Sequence, residues 1–211
     1  MAISIQRTTT GTEPLLLTDA KSHLAVSITD DDTLITALIT AARQRAESIT
    51  GRTLVASTYT YWLDSFPYLW YEQCAPARNS ISKVMSWWAN AQVIQLPHGP
   101  VQSVSSIKYL QDNSGNYTTL DPSNYTADTS SEPCVVYPIA NAYWPQVWAI
   151  HNCVQISYTA GYPAVPEDIK LAMKLMIGAW YQQREDSADV PKAAEYILAS
   201  YRSMPCGVTG R

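Results

Sequence analysis

Residues 166–182 read PEDIKLAMKLMIGAWYQ, and no other stretch restricts the fold as strongly. As a helix it carries Ile169, Leu171, Ala172, Met173, Leu175, Met176, Ile177, Ala179 and Trp180 around nearly its whole circumference. Only Lys170, Lys174 and the end YQQRED are clearly polar. A helix apolar almost all round has to be buried on more than one side. Its own N-terminal helices can cover one side and a second subunit another. Pro166 suits the first helical position, and Glu167 and Asp168 sit where the helix dipole favours negative charge. A chain of 211 residues is long enough to build the core this requires without disulfides.

The N-terminal partners follow from spacing. After an irregular arm, Thr18 is placed to cap a short helix through about Val26. A longer one begins at Asp30, Asp31 and Asp32, where three carboxylates compensate the dipole. It repeats Ile35, Leu38, Ala42, Ala46 and Ile49 at intervals of three and four, and stops at Gly51. From Leu54 the period becomes two. TLVASTYTYWLD alternates as a strand does, and shorter runs follow at 92–97, 103–111, 117–120, 125–128, 134–138 and 153–160, with DNSGN at 112–116 as turn chemistry. AGYP at 160–163 ends this region, and a last helix is predicted over about 192–202. The fold class is α+β: a helical bundle from N- and C-terminal helices with an inserted antiparallel β module.

Composition narrows the functions. Cys74, Cys134, Cys153 and Cys206 are scattered, without a C-x-x-C pair or adjacent histidines, which fits reduced thiols rather than a zinc site. The N-terminus has no signal-peptide pattern, and no apolar run is long enough to span a bilayer, so a soluble, unexported chain is expected. The net charge is -4, and the 14 Lys and Arg are spread thinly, which removes the electrostatic drive for gripping nucleic acid. Seven Trp and 14 Tyr stand against one Phe. Such aromatics are either ordinary core and sheet residues or the material of extensive protein contacts.

Catalytic readings fail on their own geometry. There is no G-x-S-x-G turn, and His23, His98 and His151 have no partner motif. Asp168 and Lys170 match the acidic-x-Lys element of metal-dependent nucleases only superficially. On a helix they point about 200° apart, and they read better as a helix start. TAGYPAVPED has one glycine and two prolines and cannot offer the successive N–H groups of a phosphate loop. No enzyme activity, cofactor or metal is expected.

Taken in order, LTDAKSHLAV, DDTLITALITAARQRAESITGRTLV, LPHGPVQSVSSIKYLQDNSGNYTTLDPSNYTAD, WP and VQISYTAGYPAVPEDIKLAMKLMIGAWYQQRED resemble the phage head-tail connector (adaptor, head-completion) family over most of residues 14–186. The resemblance implies a structural virion protein of the neck, assembled in the host cytoplasm. It would form a homo-oligomeric, dodecameric ring beneath the portal protein and offer a docking surface to a stopper, tail-completion or tail protein. DNA would pass through the channel without specific binding, and no membrane is involved. By analogy with related adaptors, Tyr201, Arg202, Met204, Val208 and Arg211 are the portal-contact candidates. Lys170, Lys174 and Tyr181 are candidates on the helix expected to line up against neighbouring copies.

Four segments are expected: 1–53, an N-terminal arm and helices; 54–162, the β module; 163–203, C-terminal helices completing the helical domain; and 204–211, a tail. The sequence departs from the family in a long Trp-rich loop at 65–92, where relatives have a much shorter connection. Trp70, Tyr71, Trp87 and Trp88 make that loop an expected contact with a neighbour or tail component. Two other readings remain: a carbohydrate-binding or adhesion module of a virion, and a DNA-processing enzyme. The paired helical segments count against the first, which would not need them.

Overall fold

The structure is a computed structural model that describes residues 3–67, 92–140, 142–148, 150–182 and 189–203. In chain order the elements are β1 (Ile3–Thr10), α1 (Leu17–Leu24), α2 (Asp32–Thr50), β2 (Ser57–Leu63), β3 (Ile94–Leu96), β4 (Val101–Leu110), β5 (Tyr117–Thr119), β6 (Tyr125–Asp128), β7 (Cys134–Pro138), β8 (Val154–Ala160), α3 (Glu167–Gln182) and α4 (Lys192–Ala199). The class is α+β. Two compact units emerge: one gathers Met1–Thr8, Thr58–Pro97 and Ser103–Thr159, the other Thr9–Ser57, His98–Gln102 and Ala160–Arg211.

The second unit is helical, and its core joins the two ends of the sequence. Ile35, Ile39, Ala42 and Ala46 of α2 meet Ile169, Ala172, Met173, Met176 and Ile177 of α3 and Ala194 and Leu198 of α4. α3 packs against α1, α2 and α4, which explains its apolar circumference within one chain. The side expected to need a second subunit is therefore covered largely by α4, leaving Leu171 exposed at 46 %. Gly51 closes α2 with φ 67°, donating to Glu47 O at 2.9 Å.

Gly161 is the tightest point of the joint between β8 and α3. Its φ is 130°, and a Cβ there would lie 2.5 Å from the Val55 carbonyl oxygen, so only glycine fits. Its N–H donates to Pro100 O at 2.8 Å, and its carbonyl accepts from Gln102 Nε2 at 2.8 Å. Tyr162 adds a backbone bond to Leu54 O, and its hydroxyl accepts from Arg52 Nη1 at 2.7 Å.

The first unit holds two sheets. A five-stranded sheet runs β1-β2-β8-β4-β5 and a three-stranded one β3-β7-β6. β4 and β5 pair antiparallel, as do β3 and β7, and β6 and β7. Strict alternation along β2 and β8 buries Tyr59, Tyr61 and Leu63 with Val154, Ile156, Tyr158 and Ala160. Tyr59 stacks on Tyr158 with centroids 5.6 Å apart, and Phe66 lies flat on Trp144 at 4.7 Å. The Tyr158 hydroxyl donates to Pro97 O at 2.8 Å just beyond β3, and the Trp144 indole N–H to Gln92 O at 2.8 Å just before it.

Several expectations change. The irregular N-terminal arm is instead β1, an edge strand of the larger sheet. Its apolar alternation is brief, Ile3 and Ile5 against Ser4 and Gln6 before a run of three threonines, and its pairing partner lies some fifty residues away in β2, beyond the reach of local pattern. Thr18 does not cap α1. Leu16 holds that place without a side-chain bond, and Ala25 closes the helix at φ 55°. The strand predicted from Leu54 begins at Ser57, because Leu54 and Gly161 are engaged at the joint. Pro166 stands just before α3 and accepts from Ile169 N and Lys170 N. α4 stops at Ala199 rather than near residue 202.

Candidate interaction surfaces

The acidic start of α2 acts as a node within the helical unit. Lys21 Nζ of α1 lies 2.6 Å from Asp32 Oδ1, and the Tyr181 hydroxyl of α3 donates to Asp31 Oδ2 at 2.5 Å. These carboxylates hold neighbouring helices as well as facing the dipole. Deeper in the unit, Arg43 is 4 % exposed and binds Glu13 Oε2 through Nε at 2.8 Å and Glu47 Oε2 through Nη1 at 2.9 Å. Glu47 Oε1 also accepts from Leu54 N at 3.0 Å. A buried guanidinium is thereby paired on two sides, as burial of a charge requires.

The helix-surface candidates divide. Lys170 Nζ sits 2.7 Å from Glu167 Oε1, and the pair, with the more distant Lys174, holds the Glu167 carboxyl below its ordinary range. Lys174 is half-buried. Tyr181 packs against the helical core and ends on Asp31. Asp168 accepts from the Tyr201 hydroxyl at 3.2 Å, so the supposed nuclease pair is split between two separate contacts at the start of α3. Among the described residues no group of three or more His, Cys, Asp or Glu is placed to hold a metal ion, and no helix is long and apolar enough to cross a membrane.

Of the portal-contact candidates, Tyr201 is half-buried and packed on the helical core, and Arg202 is exposed. Ser203 N donates to Thr50 O at 2.7 Å, which fixes the root of the tail beside the C-terminus of α2. Met204, Val208 and Arg211 lie outside the described residues, as do Trp70, Tyr71, Trp87 and Trp88 in the long loop.

Sequence reasoning missed other exposed aromatics. Tyr143 is 76 % and Trp148 48 % exposed on the segment between β7 and β8, and Tyr196 on α4 is 78 % exposed. Their signal was the aromatic count, which does not say which rings are core. Trp144, directly after the exposed Tyr143, is buried. In the same unit Cys134 and Cys153 are buried free thiols. Burial, helped by the charge of Asp128, pushes the Cys134 thiol up to about 11, the opposite of an activated nucleophile.

The sequence model of the head completion protein family matches residues 15–190. This chain belongs to that family. The match covers α1, α2, β2 to β8 and α3 and stops before α4, close to the residues 14–186 over which the resemblance runs. Among curated proteins none matches the sequence. Solved structures share the fold over nearly the whole length of both chains. A chain in the neck of an empty gene transfer agent (GTA) particle, computed with C6 symmetry, has a TM-score of 0.72 at 18 % identity, with 99 % of each chain covered. One in the virion of the native particle gives 0.71 at 18 %, with 98 % of each covered. One in the native neck, computed with C12 symmetry, gives 0.70 at 19 %, with 99 % of each covered.

Proposed function

We propose that this head completion protein is a head-tail connector: a structural subunit of the virion neck that forms an oligomeric ring between the portal and the tail or stopper and extends the DNA channel. The observation that carries this reading is the end-to-end fold match to a chain of a particle neck computed with C12 symmetry, in a chain whose family is head completion. Twelve copies around an axis is the arrangement that symmetry suggests for this chain too. A net charge of -4 suits a channel through which DNA slides without being held. The role is structural rather than catalytic.

Portal contact is assigned to the C-terminal end: Tyr201, Arg202 and the tail residues Met204, Val208 and Arg211. Trp70, Tyr71, Trp87 and Trp88 are assigned to a neighbour or the tail-side component, and Lys170, Lys174 and Tyr181 to the flank between copies. Negative-stain imaging of the purified protein mixed with its portal tests the reading. A second ring stacked on the portal is expected. A bare portal, or a knockout virus that still yields filled heads with tails attached, would overturn it.

A further inference from the structure

The five-stranded sheet has two unlike open edges. At one end, β1 pairs with β2 and, among the described residues, with no strand on its other side. At the other end, β5 covers only part of β4. Its register pairs Thr119, Thr118 and Tyr117 with Lys108, Tyr109 and Leu110, and one further bond runs from Leu120 N to Ile107 O. The stretch 103–106 of β4 therefore has β8 on one side and, among the described residues, no strand on the other.

Such edges present backbone donors and acceptors ready to pair with another chain, and proteins that must stay apart block them with proline, lysine or inward charges. The open part of β4 carries none of these devices, and β1 carries one charge, Arg7, whose guanidinium lies 5.8 Å over the buried Tyr59 ring and so leaves the outward face of the strand uncharged. β1 reads ISIQRTTT and the open part of β4 reads SVSS: there is no proline, no lysine and one arginine between them. Ser4, Gln6 and Thr8 on one strand and Ser103 and Ser105 on the other are exposed. All but Gln6 are small or β-branched, which allows close approach of a further strand.

We infer that the sheet continues from copy to copy, with β1 of one subunit pairing with residues 103–106 of β4 in the next. The occupant is a second copy because both halves of the joint sit on one chain, at opposite ends of one sheet. Each subunit gives one edge and receives the other. Joining unlike surfaces in this head-to-tail way generates rings when the rotation closes, whereas β1-to-β1 pairing would stop at a dimer. The inference rests on the ring reading above and supplies its interface.

Site-directed cross-linking on assembled rings tests it. In a background with C74S and C206S, one population carries Gln6→Cys and another Ser105→Cys, with Ser4→Cys, Thr8→Cys and Ser103→Cys covering the neighbouring registers. Adjacent strands bring paired Cα atoms within disulfide reach, about 4.4–6.8 Å. After mild oxidation the mixed populations are expected to form covalent dimers, and chains carrying both cysteines a ladder of higher multimers. Ser103→Lys with Ser105→Lys is expected to abolish ring formation while leaving the far-UV circular dichroism and the melting temperature of the free subunit unchanged. Dimers within the Gln6→Cys population alone would overturn the inference in favour of like-to-like pairing. Rings without any cross-link, still formed by the double-lysine variant, would remove the inference and leave the connector reading standing. Native protein that forms no ring with portal removes both.

Discussion

Gly161 shows how much one residue can decide. An alanine there would place its Cβ 2.5 Å from the Val55 carbonyl oxygen and 2.7 Å from Ala56 N, in a conformation that L-residues avoid. Gly161→Ala is expected to lower stability by about 3 kcal/mol, read from urea unfolding. Gly115, at φ 76° but with nothing within 4 Å, supplies the control: Gly115→Ala should cost about 1 kcal/mol. Cys134 makes a second prediction. Its thiol ionises at 9.0 in the unfolded chain and at about 11 in the folded one. Below 9.0 both forms are protonated. Above it the unfolded chain releases a proton that the folded chain keeps, so stability falls as pH rises from 9.0 towards 11. Unfolding midpoints measured across that range check the direction. Near neutral pH, alkylation of Cys134 mapped by mass spectrometry should require denaturant. Gly161 was visible in the sequence as a stop between two patterns. Its close contact with Val55 was not, since that contact joins residues more than a hundred positions apart.

At the scale of elements, what could be read depended on whether an element's pattern was local. β6 and β7 match the residues expected, 125–128 and 134–138, because turn residues bound each run. α2 is bounded by its acidic start and Gly51. β1 escaped because its alternation rests on two isoleucines alone before the threonine run, and the division into two sheets depends on pairings between distant segments. The candidate contact residues were harder still. Tyr181 was read as an outward group, yet its hydroxyl ends on Asp31 at the start of α2. A hydrogen bond to a charged group of this kind contributes about 1.5 kcal/mol. Tyr181→Phe is expected to lose that much, measured by thermal unfolding of the free subunit. If Tyr181 also lies between copies, the same variant weakens ring assembly by more than its stability loss accounts for.

For the whole molecule, the fixed root of the tail separates two kinds of defect. A chain ending at Ser203 keeps the bond from Ser203 N to Thr50 O and every described residue of the helical core. The truncated protein is expected to fold with an unchanged melting temperature but to bind portal less tightly in a pull-down or by interferometry. Equal binding by both forms would exclude the tail from the contact. The nested order of the chain has one further consequence, in time rather than space. The helical core needs α2, which is made early, and α3 and α4, which come after the whole β module. At cellular rates of synthesis α2 waits on the order of ten seconds for those partners. A nascent chain cut short anywhere in the β module lacks half of that core, so translation must pass α4 before a subunit can be admitted to an assembling particle.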